Sequence, residues 1–152
     1  WPLVTELPPP STPLNAAFGD PPAIALRGYD LPERTAVPGS SLDLTLYWQA
    51  LRPVSDNYAV FLHLAAADET IVAQQDSLPQ QGIRPTAGWR ENEAILDEHS
   101  LDISADVPPG VYHLWVGLYD PATETRPFTQ LDGQVQADGR ILLGDITIEA
   151  AP

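Results

Sequence analysis

Leu42-Asp43-Leu44-Thr45-Leu46-Tyr47-Trp48-Gln49 is the stretch on which the reading of the fold turns. Leu42, Leu44, Leu46 and Trp48 alternate with Asp43, Thr45, Tyr47 and Gln49. Successive side chains of a strand point to opposite faces, so this period of two predicts a strand with the leucines and Trp48 in a core. The pattern recurs downstream. Tyr58, Val60, Leu62 and Leu64 alternate with Ala59, Phe61, His63 and Ala65, in a strand expected over residues 58–67. Tyr112, Leu114, Val116 and Leu118 alternate with Val111, His113, Trp115, Gly117 and Tyr119. Weaker strands are expected over residues 23–29, 70–76, 94–103 and 141–149, and no stretch holds helical spacing for three turns.

Turn chemistry separates these runs. Val37-Pro38-Gly39-Ser40 and Val107-Pro108-Pro109-Gly110 place proline and then glycine just before two of the strongest strands. Asp68-Glu69 closes a short hairpin, Asp120-Pro121-Ala122-Thr123 follows a strand, and Asp138-Gly139 precedes the last one. Short strands with regular turns predict an all-β antiparallel β-sandwich, immunoglobulin-like or jelly-roll-like, of seven to eight strands.

Composition sets the boundaries. At 152 residues, 43% of them hydrophobic, the chain is large enough for one core. Pro8-Pro9-Pro10-Ser11-Thr12-Pro13 is polyproline-like, so residues 1–13 are expected to be a linker and residues 14–152 a single sandwich domain. Residues 77–93 break the rhythm of strands as a long loop, with Trp89 expected to anchor it to the core. No apolar run approaches the ~20 residues of a membrane-spanning helix. The chain has no cysteine, which excludes disulfides and thiolate metal sites, and it has no methionine, even at position 1, so it reads as an excised or processed piece. With 7 basic residues, all arginine, against 21 acidic ones, the net charge of −14 repels nucleic acid and anionic lipid.

Catalytic and metal-binding patterns are absent. His63, His99 and His113 form no paired ligand motif, no calcium-loop signature occurs, and there is no Gly-x-Ser-x-Gly elbow or phosphate-binding glycine loop. Asp97 and His99 stand two apart on a strand and share a face; a hydrogen bond fixing a strand edge is the preferred reading over chelation. Asp97 and Glu98 point to opposite faces and cannot work as paired glycosidase carboxylates. No cofactor and no metal are expected, and a surface calcium on scattered oxygens is left open. The outward set is richer: Tyr47, Gln49, Phe61, His63, His113, Trp115 and Tyr119 would form an aromatic and polar patch if their strands were neighbours. Tyr47, Phe61, His63, His113, Trp115 and Tyr119 are therefore the candidate binding face, with ordinary cross-strand aromatic pairing as the plainer and preferred reading.

The strings Leu26-Arg27-Gly28-Tyr29-Asp30-Leu31, Pro38-Gly39 and Leu44-Thr45-Leu46-Tyr47-Trp48-Gln49-Ala50-Leu51 resemble a recurring bacterial module. So do Val60-Phe61-Leu62-His63-Leu64, Gln75-Asp76-Ser77, Pro85-Thr86 with Trp89, Asp97-Glu98-His99, Pro109-Gly110-Val111-Tyr112 and Gly117-Leu118-Tyr119-Asp120-Pro121 with Arg126. This pattern is similar to β-sandwich domains attached to bacterial membrane proteins, many of which resemble dolichyl-phosphate-mannose-type glycosyltransferases. The resemblance spans roughly residues 14–149 and transfers no site. It implies a non-catalytic, extracytoplasmic accessory or interaction domain, displayed at the cell surface through a larger membrane protein and partnered by that parent or another protein. The alternative is a carbohydrate-binding module that takes glycans on the aromatic face.

Overall fold

The computed structural model describes residues 2–150. Eleven strands build two sheets: β1 (Thr12–Phe18), β2 (Ile24–Asp30), β3 (Thr35–Ala36), β4 (Ser41–Ala50), β5 (Ala59–Ala65), β6 (Ile71–Ser77), β7 (Ala94–Asp102), β8 (Gly110–Tyr119), β9 (Thr129–Leu131), β10 (Gln134–Val135) and β11 (Ile141–Ile148). One sheet has the order β10-β9-β1-β2-β4-β7 and the other β3-β11-β8-β5-β6. Pairing is antiparallel except between β11 and β3, which run parallel through Thr147 opposite Thr35. The all-β sandwich expected from the sequence is thus the architecture, with more strands than the seven or eight expected. Three of the additional strands, β3, β9 and β10, have only two or three residues, too few to display alternation. The fourth, β1, begins at Thr12 and contains Pro13, inside the stretch that composition assigned to a linker.

The core is the one that parity predicts. Leu42, Leu44, Leu46 and Trp48 of β4 are at most 2% exposed, and they meet Val60, Leu62, Leu64, Leu114, Val116 and Leu118 of the facing sheet. Phe18 and Trp48 stack at 5.7 Å with a 60° tilt. Each such leucine contributes about 1.5–3 kcal/mol by leaving water, so the inner faces supply most of the drive to fold.

Polar ties close both flanks of the sandwich. On β7, Asp97 and His99 face inward; His99 Nε2 lies 2.5 Å from Asp97 Oδ2, and His99 Nδ1 lies 2.9 Å from Gln75 Oε1 on β6. The Trp48 indole N–H and the Gln80 amide also donate to Asp97, at 3.1 and 2.7 Å. This is the Asp–His bond expected at a strand edge, extended into a clasp between the two sheets. Elsewhere, the Tyr29 hydroxyl of β2 donates to the Leu143 carbonyl of β11.

The two long irregular segments are also held down. Trp89 is 1% exposed and belongs to the core, and its indole N–H donates to the Arg84 carbonyl at 3.1 Å, so the loop over residues 77–93 is anchored as expected. Glu93 is buried there with Arg84 Nη2 at 2.5 Å and Arg90 Nε at 3.3 Å. The proline-rich segment lies across the outer face of β4 and β7. The Ala94 amide donates to the Val4 carbonyl at 2.7 Å, Gln49 Nε2 to the Thr5 carbonyl at 3.3 Å, and the Ser11 amide to Asp30 Oδ1 at 2.6 Å. A side chain on Gly28 would strike the Pro10 ring and the Thr12 carbonyl, so glycine is what permits the crossing. Among the described residues no helix is long and apolar enough to cross a membrane.

Candidate functional site

Strand order decides which outward residues meet. β5 and β8 are neighbours in the five-stranded sheet, with His63 opposite Trp115, Phe61 opposite Gly117 and Ala59 opposite Tyr119. Phe61, His63, His113, Trp115 and Tyr119 therefore share one outer face. Tyr47 does not join them, because β4 belongs to the six-stranded sheet. Its ring is 6% exposed beside Leu7 and Pro8–Pro10, and its hydroxyl donates to Asp30 Oδ2 at 2.5 Å. That bond, and then the Ser11 amide, hold the Asp30 carboxyl below its ordinary value.

The shared face is not a bare aromatic platform. Residues 120–140 leave β8, contribute β9 and β10 to the opposite sheet, and return as β11. This arm lays two arginines on the rings: Arg126 Cζ sits 4.3 Å from the Phe61 centroid, and Arg140 Cζ sits 3.7 Å from that of Trp115. Phe61 is consequently 1% exposed, and Arg140 is further tied to Glu69 at 2.9 Å. His113, further along β8, pairs with Asp145 of β11 at 2.7 Å. Phe61 and Trp115 are thus engaged by cation–π contacts and His113 by a cross-strand ion pair.

What stays open is a cleft of about 200 Å³ lined by Phe61, His63, Asp76, Tyr119, Glu124 and Arg126. β5 sets its floor, where Phe61 lies 4.7 Å from the His63 ring and 6.3 Å from that of Tyr119. β6 brings Asp76 opposite Phe61, and the Tyr119 hydroxyl donates to Asp76 Oδ2 at 3.1 Å. The turn after β8 supplies the wall. The Glu124 amide donates to the Asp120 carbonyl at 2.6 Å and the Asp120 amide to the Thr125 carbonyl at 2.8 Å, and Glu124 takes φ 59°. This tight reversal swings Glu124 and Arg126 back over the sheet.

Two glycines make the close fit possible. Any side chain on Gly117 would collide with the Phe61 ring, and one on Gly139 would come within 2.9 Å of Arg126 Cβ. Gly139 also has φ 66°, a left-handed conformation that favours glycine.

Electrostatics follow from this packing. Burial pushes the His63 pKa down; Asp76 opposes that shift, and Arg126 and Arg140 reinforce it. Tyr119 is pushed up by burial and then by its bond to Asp76. The cleft thus offers aromatic edges and faces, two carboxylate acceptors and one guanidinium donor. That combination can stack on a ring and grip its hydroxyls. Among the described residues no group of three or more His, Asp or Glu side chains is placed to hold a metal ion.

Phe61, His63 and Tyr119 were legible from strand parity; Asp76, Glu124 and Arg126 were missed as site residues. Gly117 carried the available signal, since glycine inside a strong strand marks a close approach of other chain.

Compared with solved structures, the chain is similar to the C-terminal domain of Wzt, with 13% identity, a TM-score of 0.59, and coverage of 96% of this chain and 83% of that one. It is also similar to a Niemann-Pick type C2 protein from the Japanese carpenter ant, with 9% identity, a TM-score of 0.49, and coverage of 96% and 99%. The first likeness is one of fold. No family model and no curated protein matches the sequence.

Proposed function

We propose that this is a non-catalytic binding domain, an extracytoplasmic accessory part of a larger membrane protein, and that it engages glycans through the His63–Tyr119 cleft. The accessory role and location rest on the sequence resemblance. The observation that carries the glycan reading is the cleft itself, where Tyr119 and His63 stand beside Asp76, Glu124 and Arg126. Sugars present apolar ring faces flanked by hydroxyl pairs, and an aromatic floor beside charged hydrogen-bonding groups answers both. A net charge of −14 argues against nucleic acid as the ligand.

The test is a titration of isotope-labelled domain with a broad glycan panel, followed by NMR. Binding should move the amides of Phe61, His63, Asp76, Tyr119 and Arg126, and Tyr119→Ala should weaken it about tenfold. Silence across the panel to millimolar concentration would overturn the glycan reading. The domain would then be an interaction module for its own parent, and hydrogen exchange with the parent's membrane part added would show which face it protects.

A further inference from the structure

We infer that the binding site continues past Arg126 to Phe128, and that its ligand is an extended, neutral oligosaccharide chain rather than a single terminal sugar. This inference rests on the glycan reading above. The Arg126 side chain is where three clefts meet. The first is the His63–Tyr119 cleft. The second, about 470 Å³, is lined by Glu124, Pro127, Phe128, Val135 and Asp138 among others, and the third, about 400 Å³, by Glu69, Asp138 and Arg140. Glu124 is common to the first and second, and Asp138 to the second and third, so a ligand that passes Arg126 moves from one cleft into the next.

Phe128 gives the second cleft a stacking surface. Of the large hydrophobic side chains that stand well exposed among the described residues, it is the only aromatic, at 37%, and Val135, which lines the same cleft, is 63% exposed. Its backbone is fixed. The Phe128 carbonyl accepts from the Gly19 amide at 2.7 Å, and the next residue, Thr129, is buried in β9 with its carbonyl bonded to the Gln136 amide at 2.8 Å. An exposed ring on a rigid backbone costs little entropy to use. Arg126 is equally well placed. One of its five N–H donors reaches the Asp138 carbonyl at 2.7 Å, while its stem packs on Gly139 and its plane lies over Phe61. Ring surfaces at both ends, a guanidinium between them and carboxylates at 69, 76, 124 and 138 suit a chain of hydroxyl-bearing rings. The same carboxylates repel a polyanion, and Arg126 and Arg140 in the same clefts oppose a polycation, so the ligand class is neutral.

The experiment is calorimetric titration of the whole domain with cello-, malto- and chito-oligosaccharides from one to six units, and with oligogalacturonates of equal length. In the series that binds, affinity should rise at least about tenfold from the shortest to the longest sugar. Phe128→Ala, at a surface position, should flatten that rise to within about twofold and leave the short sugars unaffected. Arg126→Gln should weaken every length. Equal affinity at all lengths, with Phe128→Ala indistinguishable from wild type, would overturn this inference and leave the glycan reading standing. Tighter binding of oligogalacturonate would overturn the neutral class. Absence of binding by every series, in a domain that binds a member of the broad panel, would overturn this inference alone; silence in both would overturn the glycan reading with it.

Discussion

Glu93 shows how a single buried charge becomes useful to a fold. Burial alone would raise its pKa, but bonds from the Arg84 guanidinium and from the Arg90 amide and side chain outweigh that and hold it below the ordinary 4.5. The folded chain therefore binds fewer protons than the unfolded chain in the acid range. The stabilisation from this group is complete above about pH 4.5 and is lost as pH falls through the folded value. Glu93→Gln should cost about 1–3 kcal/mol at neutral pH, and the gap from wild type should close toward about pH 3; urea denaturation at both pH values measures it. A gap that does not change with pH would show that the carboxylate contributes by shape alone. Arg84 and Glu93 lie nine apart in an irregular loop, and no periodicity announces such a pair. Asp97 and His99, two apart on a strand, were legible because parity puts them on one face.

Among the elements, β5 and β8 carry the most consequence, because their outer sides floor the cleft while their inner sides fill the core. Gly117 is where they tolerate least change. Gly117→Ala would drive its new methyl into the Phe61 ring, and so displace Arg126 above it. Overpacking of this kind costs about 1–3 kcal/mol, so thermal denaturation should show a clearly lower midpoint, and the Phe61 and Arg126 NMR signals should shift together. A variant as stable as wild type would mean that the ring has room to move. The inward residues of β4, β5 and β8 were readable from the sequence because each strand shows several alternations. The gathering of the outward ones was not, since periodicity within a strand says nothing about which strands are neighbours. Tyr47 was placed on this face for that reason, whereas β4 lies in the opposite sheet. β9 and β10, at three and two residues, had no pattern to read, and the arm that brings Arg126 and Arg140 across the face went unseen with them.

At the scale of the whole molecule the dominant feature is charge: 21 carboxylates against 7 arginines, several of the latter committed to Glu93, Glu69 or backbone carbonyls. A surface so one-sided repels itself in the compact state, and salt screens that repulsion. Raising NaCl from about 0.01 M to about 0.15 M should therefore raise the melting midpoint by a few degrees in calorimetry, whereas a fold resting on exposed ion pairs would lose stability. The division of labour between floor and wall has its own outcome over evolutionary time. Phe61, His63 and Tyr119 sit on strands whose other faces are the core, so a lineage can alter them only at the risk of the fold. The wall is one arm, residues 120–140, entering from β8 and leaving into β11. Outside β9, β10 and the packed Gly139, its exposed turn positions have no core face to preserve, so change there costs the scaffold least. Divergence among descendants of this domain should concentrate in that arm, so that new ligand preferences arise by rewriting one contiguous stretch of coding sequence while the sandwich is inherited unchanged.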